Sequence, residues 1–170
     1  MKRKQKGFNL IEIIIYTAIL SLVFTVVFNS VIMMMKSFNY ARLKIRINNS
    51  AQASMERIVR EIRLAYDIDN ASEFNVNPGK LKLKTFDSLG APATIEFYKD
   101  SGNLVVSENG STAELLNSSG IQVTNLMFKT AYLVTSPSKS VKIEMELTGT
   151  QGGYTRAEKF YDTVILRGNY

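Results

Sequence analysis

The sequence predicts an α+β protein: one long N-terminal helix, membrane-spanning in its first half, packed through its second half on a C-terminal antiparallel β domain. Three observations predict it. No Gly or Pro occurs between Phe8 and Asn77, and past the most apolar stretch the apolar residues recur at helical spacing. From Lys80 onward the apolar period changes to two, the period of a half-buried strand. The strands follow the helix as a run without β-α-β alternation, which argues for antiparallel pairing.

Residues 1–7 are a basic leader, with Lys2, Arg3, Lys4 and Lys6 supplying four of the six net charges. Residues 8–35 are apolar, Glu12 being their one charged residue, and Ile13 to Met35 give 23 residues without charge, Pro or Gly. At about 1.5 Å per residue this stretch crosses a hydrocarbon core about 30 Å thick. It outruns a secretory signal, whose apolar region spans about 7–15 residues before a small-residue cleavage site. The basic leader keeps the N-terminus cytoplasmic and sends the chain after residue 36 to the other side.

Residues 36–66 continue the helix. Tyr40, Leu43, Ile47, Ala51, Met55, Ile58, Ile62 and Ala65 are spaced 3, 4, 4, 4, 3, 4 and 3 apart, which makes one face apolar. Glu56 with Arg60, and Arg57 with Glu61, lie four apart and are expected on solvated faces. The helix is expected to end near Tyr66, before Asp67, Asp69, Asn70 and Ser72. Phe8 to Tyr66 would form a rod about 88 Å long. With prolines only at 78, 92 and 137, no proline kink is expected in it.

Residues 67–170 form the β domain. Leu81 and Leu83 alternate with Lys80, Lys82 and Lys84, a comb that reads as protection of an edge strand. Ile95 and Phe97, Leu104 to Val106, and Ile121 through Val134 mark further strands. Val141, Ile143, Met145 and Leu147 alternate strictly with Lys142, Glu144 and Glu146. Thr148 to Gly153 reads as a Gly-rich hairpin loop leading to a last strand, Tyr154 to Arg167.

Composition excludes much chemistry. The chain has 170 residues and neither Cys nor His, so disulfides, thiol nucleophiles, imidazole bases and Cys/His zinc sites are all excluded. The formal charge of +6 falls to +2 (17 basic, 15 acidic) without residues 1–7. Residues 36–63 hold seven basic and two acidic residues, whereas residues 64–170 hold 10 basic and 12 acidic. The basic residues Arg42, Lys44 and Arg46 keep no single helical face, and no base-reading motif accompanies them, so nucleic acid is not an expected partner. Glu144 and Glu146 share a strand face, but beside Lys142 they read as solvated charge rather than a hydrolytic pair. Asp67-Ile68-Asp69 opens like a calcium loop, yet Ala71, Ser72 and Pro78 occupy positions that need an oxygen ligand, Gly and Glu. Gly149 to Gly153 lacks the Lys-Ser/Thr of a phosphate loop. No catalytic residue, metal or cofactor is expected, and the chain reads as a non-enzyme.

Glu12 stands out. A carboxylate inside an apolar span is costly, up to about 3 kcal/mol at the centre, and calls for a cation that the next 23 residues do not supply. The stretch Lys6-Gly7-Phe8-Asn9-Leu10-Ile11-Glu12, followed by the span, resembles the prepilin processing signal of type IV pilins and type II secretion pseudopilins. The resemblance implies cleavage between Gly7 and Phe8 by a prepilin peptidase and N-methylation of Phe8. It also implies that Glu12, the fifth mature residue, pairs with the N-terminal amine of a neighbouring subunit. Asn9 stands where Thr is usual. Ser54 to Arg63 resembles the helix end of J-type pseudopilins and W-type minor pilins, and Val123 to Tyr132, Val141 to Leu147 and Phe160 to Arg167 resemble their closing pattern.

The expectation is therefore a pilin fold and a structural, minor subunit of a type IV pilus or type II secretion pseudopilus. It would sit single-pass in the bacterial inner membrane, its C-terminal domain extracytoplasmic, before joining the filament. The implied partners are the peptidase, other pilin or pseudopilin subunits, the inner-membrane assembly platform and, before assembly, the lipid bilayer. The alternatives are an anchored extracytoplasmic binding domain that never polymerises and a DNA-capturing minor pilin of a competence system.

Overall fold

The computed structural model describes residues 9–132 and 139–166. The leader, Gly7, Phe8, Val134, Pro137 and Arg167 lie outside the described residues.

Helix α1 runs Leu10–Leu64. Its first turn closes on the Asn9 carbonyl, which accepts the N–H groups of Glu12 at 2.9 Å and Ile13 at 3.3 Å. It ends where the Tyr66 N–H leaves the helix to donate to the Lys84 carbonyl, handing the chain to a sheet. Arg63 in the last turn complements the negative end of the dipole. With no proline or glycine inside it, the helix is unbroken over all 55 residues. The chain forms two units, Met1–Ala41 and Arg42–Tyr170, whose boundary falls within α1.

In the second unit, strands β1 (Asp67–Ile68), β2 (Leu81–Phe86), β3 (Pro92–Asp100), β4 (Asn103–Glu108) and β5 (Glu114–Leu115) form one antiparallel sheet in sequence order. Strands β6 (Ile121–Tyr132), β7 (Lys139–Gln151) and β8 (Tyr154–Ile165) form a second antiparallel sheet, with β7 central. The α+β class expected from the sequence is the one observed, with the β residues divided between two sheets. The sheets are joined where the Val123 N–H donates to the Gly102 carbonyl, beside the bulge in β6 between Val123 and Asn125.

One core serves this unit. Leu43, Ile47, Ala51, Met55, Ile58, Ile62 and Ala65 pack against Leu81, Leu83, Ile95, Phe97, Leu104, Val106, Phe128, Ile143, Met145 and Leu147. The stripe begins one turn later than expected, because Tyr40 is exposed and belongs to the other unit. Two serines and a glutamate interrupt the apolar pattern yet are buried: Ser50, Ser54 and Glu61. Ser54 Oγ donates to the Leu116 carbonyl, and Ser50 Oγ accepts the Ser118 N–H at 2.9 Å, so the helix holds the segment between β5 and β6. That segment carries Asn117, whose amide bridges Leu104, Asn103 and Ile121.

Four local expectations are corrected. Glu61 is not on a solvated face: it is 7% exposed, and Arg57 reaches it from one turn earlier while also pairing with Glu108 of β4. Glu56 accepts from Gln52 and has no ion pair with Arg60 among the described residues; Arg60 lies 3.6 Å from Glu61 instead. The Lys80, Lys82, Lys84 comb does not guard an edge. Tyr66, Asp69, Ser72 and Glu73 bond along that side of β2, and Lys80 and Lys84 pair with Glu96 and Asp69. Thr148 to Gln151 belong to β7 rather than to a loop, leaving only Gly152 and Gly153, with φ of 58° and 80°, to make the turn into β8.

Candidate functional site on the N-terminal helix

From Leu10 on, the first unit is helical and largely apolar. All the large apolar side chains from Leu10 to Met35 are exposed, and none of the most apolar stretch is buried. By length and composition the helix can cross a membrane. So large a continuous apolar surface requires a cover, either lipid or protein. Three hydroxyls on it donate back into the helix: Thr17 to the Ile13 and Ile14 carbonyls, Thr25 to the Ser21 carbonyl and Ser30 to the Val26 carbonyl. Apolar surroundings demand this internal satisfaction of polar groups.

Glu12 is the exception. It sits in the first turn, where the exposed N–H groups of the helix favour a negative charge. Counting from Asn9 as the cap, it occupies the third helical position, where a glutamate ordinarily reaches back to the cap's own N–H. It does not do so here. Its Oε1 accepts the Tyr16 hydroxyl, one turn further on, at 3.1 Å. Among the described residues Glu12 has no ion pair, and the hydrogen bond to Oε1 is the one side-chain bond it makes. Among the described residues, then, one hydroxyl holds the carboxylate on an otherwise apolar surface.

Of the three sequence-derived site residues, Glu12 is described, while Gly7 and Phe8 lie outside the described residues. Tyr16 was not singled out by the sequence: in an apolar run it reads as one more large residue, and only its offset of four from Glu12 signals the pairing.

The other candidate clusters are structural. Glu144 is held by Lys142 and Lys129, whose hydrogen bonds lower its carboxyl below the usual range. The hydrogen bond from Lys139 likewise lowers Asp67, tying β1 to β7. Asp67 and Asp69 each turn an oxygen to a nearby backbone N–H, of Ile68 and Ala71, and among the described residues no acidic cluster is placed to hold a metal ion. On the basic part of α1, Arg46 donates to the Ser119 carbonyl at 2.8 Å, and Arg57 and Arg60 are engaged by Glu61. Those guanidiniums make contacts within the unit, Arg60 through a longer one at 3.6 Å. No family model, curated protein or solved structure matches the chain.

Proposed function

We propose that the chain is a structural subunit of a type IV pilus or type II secretion pseudopilus, minor rather than major, made as a prepilin. The observation that carries this reading is Glu12, a lone carboxylate in the first turn of a fully exposed apolar helix that continues without a break into a folded β unit. In this reading prepilin peptidase cuts between Gly7 and Phe8 and the Phe8 amine is methylated. The helix holds the subunit in the inner membrane, N-terminus cytoplasmic, and the β unit lies on the far side. Glu12 then meets the terminal amine of a neighbouring subunit. The pairing cancels a carboxylate and an ammonium that would each be costly in hydrocarbon, and so sets the register between helices. The assembly platform draws the helix from lipid into a bundle of like helices, which replaces one apolar cover by another.

The test is made in the native host. Replacing Gly7 with a bulky residue should abolish processing. Mature protein starting at Phe8 from that variant would remove the cleavage assignment. Glu12→Ala should be processed normally and yet fail to enter filaments. If Glu12→Ala is incorporated like the wild type, the pairing role is lost, and a processed chain that never polymerises would instead be an anchored binding domain.

A further inference from the structure

We infer that Tyr16 is a positioning residue for Glu12: its hydroxyl draws the carboxylate off the N-terminus of its own helix and so leaves it available to a cation from outside the chain. The inference rests on the assembly reading given above for what that cation is, but the contact itself stands on geometry. Asn9-Leu10-Ile11-Glu12 has the spacing of a capping box, in which the third helical residue bonds back to the N–H of the cap. In that arrangement the positive end of the helix would satisfy Glu12, and a partner's ammonium would have to displace it. Side chains on a helix lean toward its N-terminus, so a residue four positions on lies over the turn that carries Glu12. Tyr16 occupies that position and donates to Oε1 at 3.1 Å, while the Asn9 N–H is not bonded to Glu12.

The choice of residue matters. A phenol supplies one neutral donor on a rigid, apolar ring. It therefore offsets part of the cost of an unpaired carboxylate in lipid without neutralising it. A lysine there would quench the charge, and a leucine would release it to the cap. The donor lies on Oε1, so the carboxylate is held in place while Oε2 has no hydrogen bond among the described residues.

The experiment uses the full chain in lipid nanodiscs and, in parallel, in the host. With tyrosines labelled at Cζ, Glu12→Gln should move the Tyr16 resonance and leave the other seven in place. Tyr16→Phe, which keeps the ring, should slow hydrogen exchange at the Asn9 amide as Glu12 falls back onto it. It should also reduce incorporation into filaments about tenfold, the scale of one hydrogen bond to a charged group. In a Glu12→Gln background the same Tyr16→Phe change should cost nothing further. An unmoved Tyr16 resonance or unchanged Asn9 exchange overturns the proposal, as does an equal loss in the Gln background. Normal incorporation of Glu12→Ala would instead defeat the assembly reading, and the resonance and exchange measurements would then decide the Tyr16 contact alone.

Discussion

Gly149 of β7 faces Leu43 of the helix so closely that a Cβ at Gly149 would stand 2.9 Å from Leu43 Cδ1, and 2.7 Å from Ile121 Cδ1. The strand lacks a side chain at the point where the helix begins to pack, and this lets the first buried turn of α1 settle onto the sheet. Gly149→Val should destabilise the second unit by about 1–3 kcal/mol through overpacking. The cost should shrink in part in a Leu43→Ala background, where the Leu43 methyl is gone while Ile121 Cδ1 remains. Urea unfolding of the four members of this cycle in detergent micelles measures the coupling.

That glycine also shows why part of the fold was legible in the sequence and part was not. Strict alternation from Val141 to Leu147 announced β7, and the 3–4 spacing from Leu43 to Ala65 announced the buried helix face, since both patterns follow from the geometry of a single element. Gly149 was assigned to a loop because glycine in a run of Thr and Gly signals a turn; its reason for being in a strand is a helix about a hundred residues earlier. Ser50 and Ser54 broke the apolar pattern for the same reason, their partners Ser118 and Leu116 being matters of tertiary contact; the spacing of Arg57 and Glu61 was legible, but not the burial of Glu61. Glu12 could be picked out as a charge in an apolar run. Tyr16 could not, because its role depends on which way Glu12 turns.

Asn117 is the polar hub of the junction between the sheets. Its Oδ1 accepts the Leu104 N–H at 2.8 Å, and its Nδ2 donates to the Ile121 carbonyl at 2.6 Å and to Asn103 Oδ1 at 3.1 Å. All three partners lose their bond at once in Asn117→Leu, and the two backbone groups are buried. A loss of about 2–4 kcal/mol is expected, the scale for orphaning buried donors and acceptors. Asn117→Asp keeps the acceptor but loses both donors, so it should be destabilised as well. Chemical denaturation of both variants checks this, and a wild-type midpoint for Asn117→Leu would show that the hub carries nothing.

Acid should weaken the unit through Asp67 and Glu144. Lysine hydrogen bonds lower both carboxyls in the folded state, Asp67 through Lys139 and Glu144 through Lys142 and Lys129. The unfolded chain, with ordinary carboxylates near pH 4, therefore takes up protons first as pH falls. Their contribution is complete above that value and is lost progressively below it, down through the lowered folded values. Lys139→Met should flatten the acid limb of the stability curve by the part that belongs to Asp67. Melting temperatures recorded from pH 6 to pH 2 for wild type and variant would reveal it, and parallel curves would mean that the pair is not linked to folding.

Arg57 and Glu61 invite a sharper test, because breaking a buried ion pair and replacing it have opposite consequences. Glu61 is almost fully buried, and Arg57 approaches its Oε1 to 3.2 Å while also holding Glu108 at 2.7 Å. The Arg57→Met variant leaves the Glu61 carboxylate buried with only the longer contact to Arg60, at 3.6 Å, to offset it. Since an uncompensated buried charge costs about 3–5 kcal/mol, and Arg60 recovers part of that, a loss of about 2–4 kcal/mol is expected. Arg57→Met with Glu61→Met removes both charges and fills the same space with apolar atoms that can join the Ile58 and Ile62 face. The double variant should regain most of the loss, because well-packed apolar replacements of buried pairs are often neutral or stabilising. Glu108, more than half exposed, returns to solvent at little cost. Denaturation midpoints for both variants decide the matter: if the double variant is as unstable as the single one, the pair with its link to Glu108 holds the helix to the first sheet in a way that apolar packing cannot replace.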